Sequence, residues 1–134
     1  MKKFLTFLVT LVIVLTATAS VYASSAMPVA NNNVDTKVYF AVSSSGQATV
    51  NVRCVALSSK FKSATFETKV QKKVGLIWVT VDNGSWTDVT KSTDFSKSHS
   101  VQLSSKGTYR AHVKITISGT GGSDEITKNV EKTY

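Results

Sequence analysis

The chain has 134 residues, with 16 Lys and Arg against eight Asp and Glu, a formal net charge of +8 and one cysteine. This length fits a single domain whose hydrophobic core carries the fold, and the lone Cys54 excludes an intramolecular disulfide and the small scaffolds that depend on several. The positive balance favours polyanions, but the basic residues are scattered, with no cluster longer than Lys72-Lys73, the pattern of a solubilising surface, and no sequence-specific nucleic-acid partner is expected.

Lys2 and Lys3 precede an uncharged run from Phe4 to about Ala17, and Val21-Tyr22-Ala23 offers small or permissive residues where a signal peptidase reads. Residues 1–23 are therefore expected to be a secretory signal peptide. Its apolar run is shorter than the roughly 20 residues of a spanning helix, so the mature protein is expected to start at Ser24, span no membrane and be extracellular. No lipid-attachment cysteine or charged sorting tail is evident. Residues 24–33, which hold the only proline, Pro28, and end in Asn31-Asn32-Asn33, read as a flexible leader to a domain over residues 34–134.

From Val34 onward the pattern has period two. Val34, Thr36, Val38, Phe40 and Val42 share one parity, and Ser43-Ser44-Ser45-Gly46 follows as a turn. Ala48, Val50, Val52, Cys54 and Ala56 define a second strand with Cys54 directed inward and Arg53 outward. After a connection over residues 57–63, a third strand carries Ala64, Phe66, Thr68 and Val70 on one side. The fourth, Leu76 to Val81, is apolar on both parities, the pattern of a strand covered on both faces. Asp82-Asn83-Gly84-Ser85 signals a turn, and the pattern stays weak to Ser98, with Trp86, Val89 and Phe95 isolated among polar residues. His99, Val101 and Leu103 give a fifth strand and Ser104-Ser105-Lys106-Gly107 a turn. Tyr109, Ala111, Val113, Ile115 and Ile117 form the longest clean alternation. Gly119-Thr120-Gly121-Gly122 closes a hairpin into a sparse last strand, Glu125 to Tyr134, whose charge suits a sheet edge. No helical periodicity follows the signal. These elements predict an all-β, antiparallel, seven-stranded sandwich preceded by a signal-peptide helix.

The segment Gly107-Thr108-Tyr109-Arg110-Ala111 resembles the tyrosine corner of immunoglobulin-like domains, and Cys54 stands where such domains carry the first cysteine of their inter-sheet pair. Ser105 replaces the usual acidic residue, Ala111 the second cysteine, and Phe66 is the nearest substitute for the core tryptophan. Together with the Lys-Lys-Val-Gly-x-x-Trp-x-x-Val run ending at Val81, the chain is similar to small secreted immunoglobulin-like sandwich proteins of Gram-positive bacteria to which no activity is assigned. The resemblance implies a fold, a compartment and a bacterial setting, with Cys54, Tyr109 and Gly107 as fold-determining residues. It implies no chemistry.

Cys54 is the one thiol, and parity sends His112 to the opposite side, while His99 is expected at the rim, so no cysteine–imidazole pair is expected. Asp82, Asp88 and Asp94 lack the spacing of a calcium loop, and the mature chain's three glutamates, Glu67, Glu125 and Glu131, have outward or edge parity. The reading assigns no catalytic residue, cofactor or metal. Trp86, beside Asp82 and Asp88, could stack on a sugar, with Trp78 and Tyr39 extending the platform if they share its face; otherwise Trp86 folds back as a lid. Arg53 and the trio Arg110, His112 and Lys114 have outward parity on the second and sixth strands and on one face would make a basic patch; the immunoglobulin-like resemblance implies different sheets and so no single patch. The leading expectation is a secreted, non-enzymatic binding or surface-interaction module for a polyanionic cell-envelope polymer or carbohydrate. Its rivals are a cationic antibacterial or toxin-like protein and a self-associating matrix protein, and the sequence leaves the oligomeric state open.

Overall fold

The computed structural model of the protein describes residues 33–134, so the expected signal peptide, and all of the leader except Asn33, lie outside the described residues. Seven antiparallel strands form two sheets. They are β1 (Asn33–Val42), β2 (Gln47–Ala56), β3 (Phe61–Val74), β4 (Ile77–Thr90), β5 (Asp94–Gln102), β6 (Thr108–Gly119) and β7 (Gly122–Thr133). One sheet has the order β1-β2-β5 and the other β4-β3-β6-β7. No helix occurs among the described residues.

The alternation on β2, β3 and β6 sets the core. Val50, Val52 and Cys54 from the first sheet meet Phe66, Val70, Ala111, Val113, Ile115 and Ile117 from the second, all at most 3% exposed. Phe95 of β5 stacks on Phe66 of β3, ring centroids 4.1 Å apart, and so joins the two sheets through an aromatic pair. The Tyr109 hydroxyl donates to the Ser105 carbonyl oxygen at 2.6 Å, fastening the β5–β6 connection to the start of β6. Gly107 (φ 149°) exchanges backbone hydrogen bonds with Tyr134, which holds the end of the chain at the same corner.

Four expectations are corrected. First, β1 begins at Asn33, not Val34: the Asn33 Oδ1 accepts from the Thr36 hydroxyl at 2.9 Å and from the Cys54 thiol at 3.5 Å. Second, Asp82–Ser85 does not end a strand. The backbone turns there, with Asn83 at φ 56°, yet the turn is a bulge inside one long β4. As β3 steps from Gln71 back to Lys69, β4 runs from Thr80 to Ser85. A Cβ at Gly84 would lie 2.5 Å from Val81 Cγ2, so the fold of the bulge requires glycine. Third, β5 starts at Asp94, so His99 lies inside a strand with its side chain only 13% exposed, not at a strand start. Fourth, β4 is not covered on both faces, since Ile77 and Val79 are 62% and 45% exposed.

Replacing Tyr109 by Phe removes one buried hydrogen bond and keeps the ring, so the variant is expected to lose about 1 kcal/mol with its fold intact. Chemical denaturation with an unchanged m-value is the measurement. An unmoved midpoint would mean that the bond contributes nothing to the corner.

Candidate functional site

The bulge decides where the two tryptophans go. Side chains alternate with period two along a strand, and β4 gains an odd number of residues over β3 between Thr80 and Ser85, so the phase of β4 reverses there. Trp78 pairs with Lys73 and stands on the outer face, whereas Trp86 pairs with the buried Thr68 and faces inward.

Inward, Trp86 closes the side of the sandwich between β4 and β5. It packs against the core and lies flat on His99, with 4.7 Å between ring centroids and 7° between planes. His99 Nε2 hydrogen-bonds the Asp88 carboxylate, and Lys97 Nζ is 3.9 Å from the same group. These side chains carry the inward parity of two edge strands and close that side with a paired acid, imidazole and ammonium. Asp82 is exposed on the bulge and takes no part, so Trp86, Asp88 and Asp82 do not assemble into one ligand-facing set. Tyr39, 61% exposed, stands on the outer face of the other sheet and extends no platform with either tryptophan.

Outward, a different constellation forms at the end of the second sheet. The Arg110 guanidinium lies 4.5 Å from the centre of the Trp78 ring and Lys73 Nζ 5.9 Å from it. Arg110 Nε donates to Gln71 Oε1 at 2.8 Å, which fixes the guanidinium on the indole. From Thr68 to Val81 there is no carboxylate, while Lys69, Lys72 and Lys73 lie in that span. Val74, Leu76, Ile77 and Val79 are all exposed there, Leu76 at 98%. A half-covered indole, cations and uncovered aliphatics thus share one end of one hairpin. The sequence carried a signal for it in the acid-free run with apolar residues on both parities, which reads as burial only if something covers it.

Arg53 lies on β2 and pairs with Asp94, its Nη2 3.1 Å from Oδ2, on a different sheet from Arg110, His112 and Lys114. His112 Nδ1 meets Asn129 Oδ1 at 2.7 Å, and Lys114 pairs with Glu125 at 3.1 Å. Cys54 is 3% exposed, and burial pushes its pKa up, partly opposed by the Thr36 hydroxyl 3.7 Å from its sulfur. Such a thiol holds its proton at neutral pH and is a poor nucleophile. Among the described residues no group of three or more His, Cys, Asp or Glu could hold a metal ion, and no helix is long and apolar enough to cross a membrane. An open groove of about 350 Å³ runs between β1 and β7, lined by Thr36, Val38 and Tyr39 on one side and Lys128 and Val130 on the other. No protein-family model matches the chain, and neither a curated protein nor a solved structure does.

Two outcomes separate these roles. Trp86→Ala should destabilise the domain by about 2 kcal/mol or more, through lost packing against the core and His99; a melting point within a degree of the parent's would remove Trp86 from the structural role. Cys54 should resist a bulky maleimide in the native protein and react at once in denaturant. Because its folded pKa lies above the unfolded one, the folded state keeps the proton longer, and stability should fall as pH rises through the ordinary thiol range towards the folded value. Rapid native labelling at neutral pH would contradict its burial.

Proposed function

We propose that the mature chain is a secreted, non-enzymatic, immunoglobulin-like β-sandwich that binds a polyanionic polymer of the cell envelope. The site is the outer face of the four-stranded sheet around Trp78. One observation carries this reading: an indole with Arg110 and Lys73 over its ring at the uncovered end of an acid-free hairpin. The guanidinium, ordered by Gln71, offers a planar donor fork suited to phosphate, sulfate or carboxylate, and the indole offers an apolar surface beside it. The excess of basic over acidic residues adds a long-range attraction. The signal-like first 23 residues support export. The strand orders β1-β2-β5 and β4-β3-β6-β7, with the bond from Tyr109 to Ser105, support the immunoglobulin-like assignment.

Retention of the mature protein on immobilised dextran sulfate tests the reading. Retention is expected to be strong near 0.01 M salt and much weaker at 0.15 M, as the Debye length contracts from about 30 Å to about 8 Å. Trp78→Ala and Arg110→Gln should each weaken it at fixed salt while leaving the melting point nearly unchanged. If both variants elute with the parent, the surface around Trp78 is not the binding site.

A further inference from the structure

The β3–β4 hairpin is built as a rigid tip. Val74 and Ile77 are paired across a two-residue turn, with Gly75 at φ 61° and Leu76 at the apex. A positive φ at only the first central residue is the type II′ arrangement, which follows the natural twist of a hairpin and holds it tight. On the inner side of this tip Val74, Ile77 and Val79 are all exposed, and on the outer side Trp78 stands under Arg110 and Lys73. The neighbouring β5–β6 connection reaches the base of the same hairpin, with Lys72 Nζ 2.6 Å from the Ser105 hydroxyl, and it brings Lys106 to that end.

Val74, Leu76 and Ile77 stand at the apex, Trp78 follows with Lys73 opposite it, and Lys72 and Arg110 lie further back, so the tip passes from apolar through amphipathic to basic along its axis. This order matches, from the deepest point outward, the layers of a bilayer with anionic headgroups: acyl chains, the interfacial zone that favours tryptophan, and the phosphate plane. A soluble polymer would be served by the cations and the indole alone and has no use for Leu76 and Ile77. We infer that the hairpin tip from Val74 to Val79 inserts into the surface of an anionic phospholipid membrane, with Lys72, Lys73, Lys106 and Arg110 at the headgroups.

The inference rests on the binding surface proposed around Trp78, and the test keeps the two apart. Mature protein is floated with vesicles of phosphatidylglycerol mixed into phosphatidylcholine, and with phosphatidylcholine alone, at about 0.15 M salt. Flotation is expected with the mixed vesicles only. Leu76→Asp and Ile77→Asp should each lower it by at least about tenfold, the equilibrium equivalent of losing one buried aliphatic side chain. Both positions are exposed, so the variants should keep the parent's melting point. They should also keep its low-salt retention on dextran sulfate. In Trp86→Phe, Trp78 remains as the single tryptophan, and its emission should move to the blue on adding the mixed vesicles. Flotation of the aspartate variants at the parent's level, equal flotation with phosphatidylcholine alone, or no flotation of the parent would each overturn insertion. If the dextran sulfate behaviour persists in those cases, the polyanion reading stands; if it is lost as well, both fall.

Discussion

The phase reversal in β4 is the constraint on which the rest of the molecule depends. An edge strand of a sandwich has to send every second side chain into the core, and a single register would put Trp78 and Trp86 on the same face. The odd insertion between Thr80 and Ser85 releases that coupling. Downstream of it, β4 closes the β4–β5 side of the sandwich with Trp86 and Asp88 against His99 and Lys97. Upstream, the same strand extends as a hairpin with its indole outside and its aliphatics uncovered. Gly84 permits both, because its missing Cβ lets the backbone double back against Val81.

A domain with a single cysteine has to tie its sheets together by packing. The aromatic pair of Phe66 and Phe95, the run of β-branched residues on β6 and the hydroxyl of Tyr109 divide that task among a central stack, a buried strand and a corner. Cys54 contributes as a small apolar group, its thiol donating to Asn33 at the start of β1. The polar pairing of Asp88 with His99 and Lys97 matters for the same reason. An inward carboxylate at a sandwich edge needs polar partners, and here the stacked His99 imidazole hydrogen-bonds it while the Lys97 ammonium lies 3.9 Å away.

What was legible in the sequence follows from how local each signal is. β2 and β6 are buried on one face along their whole length, so alternation alone places Cys54 and Tyr109. The turn at Asp82–Ser85 was legible as a turn, because Asn-Gly chemistry is local. Whether such a turn ends a strand or bulges within it depends on the register with β3, a long-range pairing that leaves no periodic mark. The error propagated: with the phase unknown, Trp86 and Trp78 could be placed together or apart, and Asp82 could be grouped with Asp88. The uncovered hairpin was hidden by a similar ambiguity. Apolar residues on both parities describe a strand buried twice and also one that projects past the body of the domain, and only the extent of the opposing sheet distinguishes them.

The distribution of exposed apolar surface also bears on self-association. A sandwich that grew into fibres would present flat, apolar edges for strand pairing. The β7 edge instead carries Lys128 and Lys132 on its inward parity, and the β4 edge is broken by the bulge and backed by Asp88. Strand addition at either edge of the four-stranded sheet would have to bury a charge or span an irregular register. Four exposed aliphatics, Val74, Leu76, Ile77 and Val79, are gathered at the hairpin end, where Val74 and Ile77 pair with each other across the tight turn, while Val89 and Leu57 stand apart from it. Aliphatic side chains projecting from a short, tight tip favour contact with a fluid apolar phase or a shaped pocket over growth of a sheet, which is why an interfacial role fits this tip better than a fibrous one.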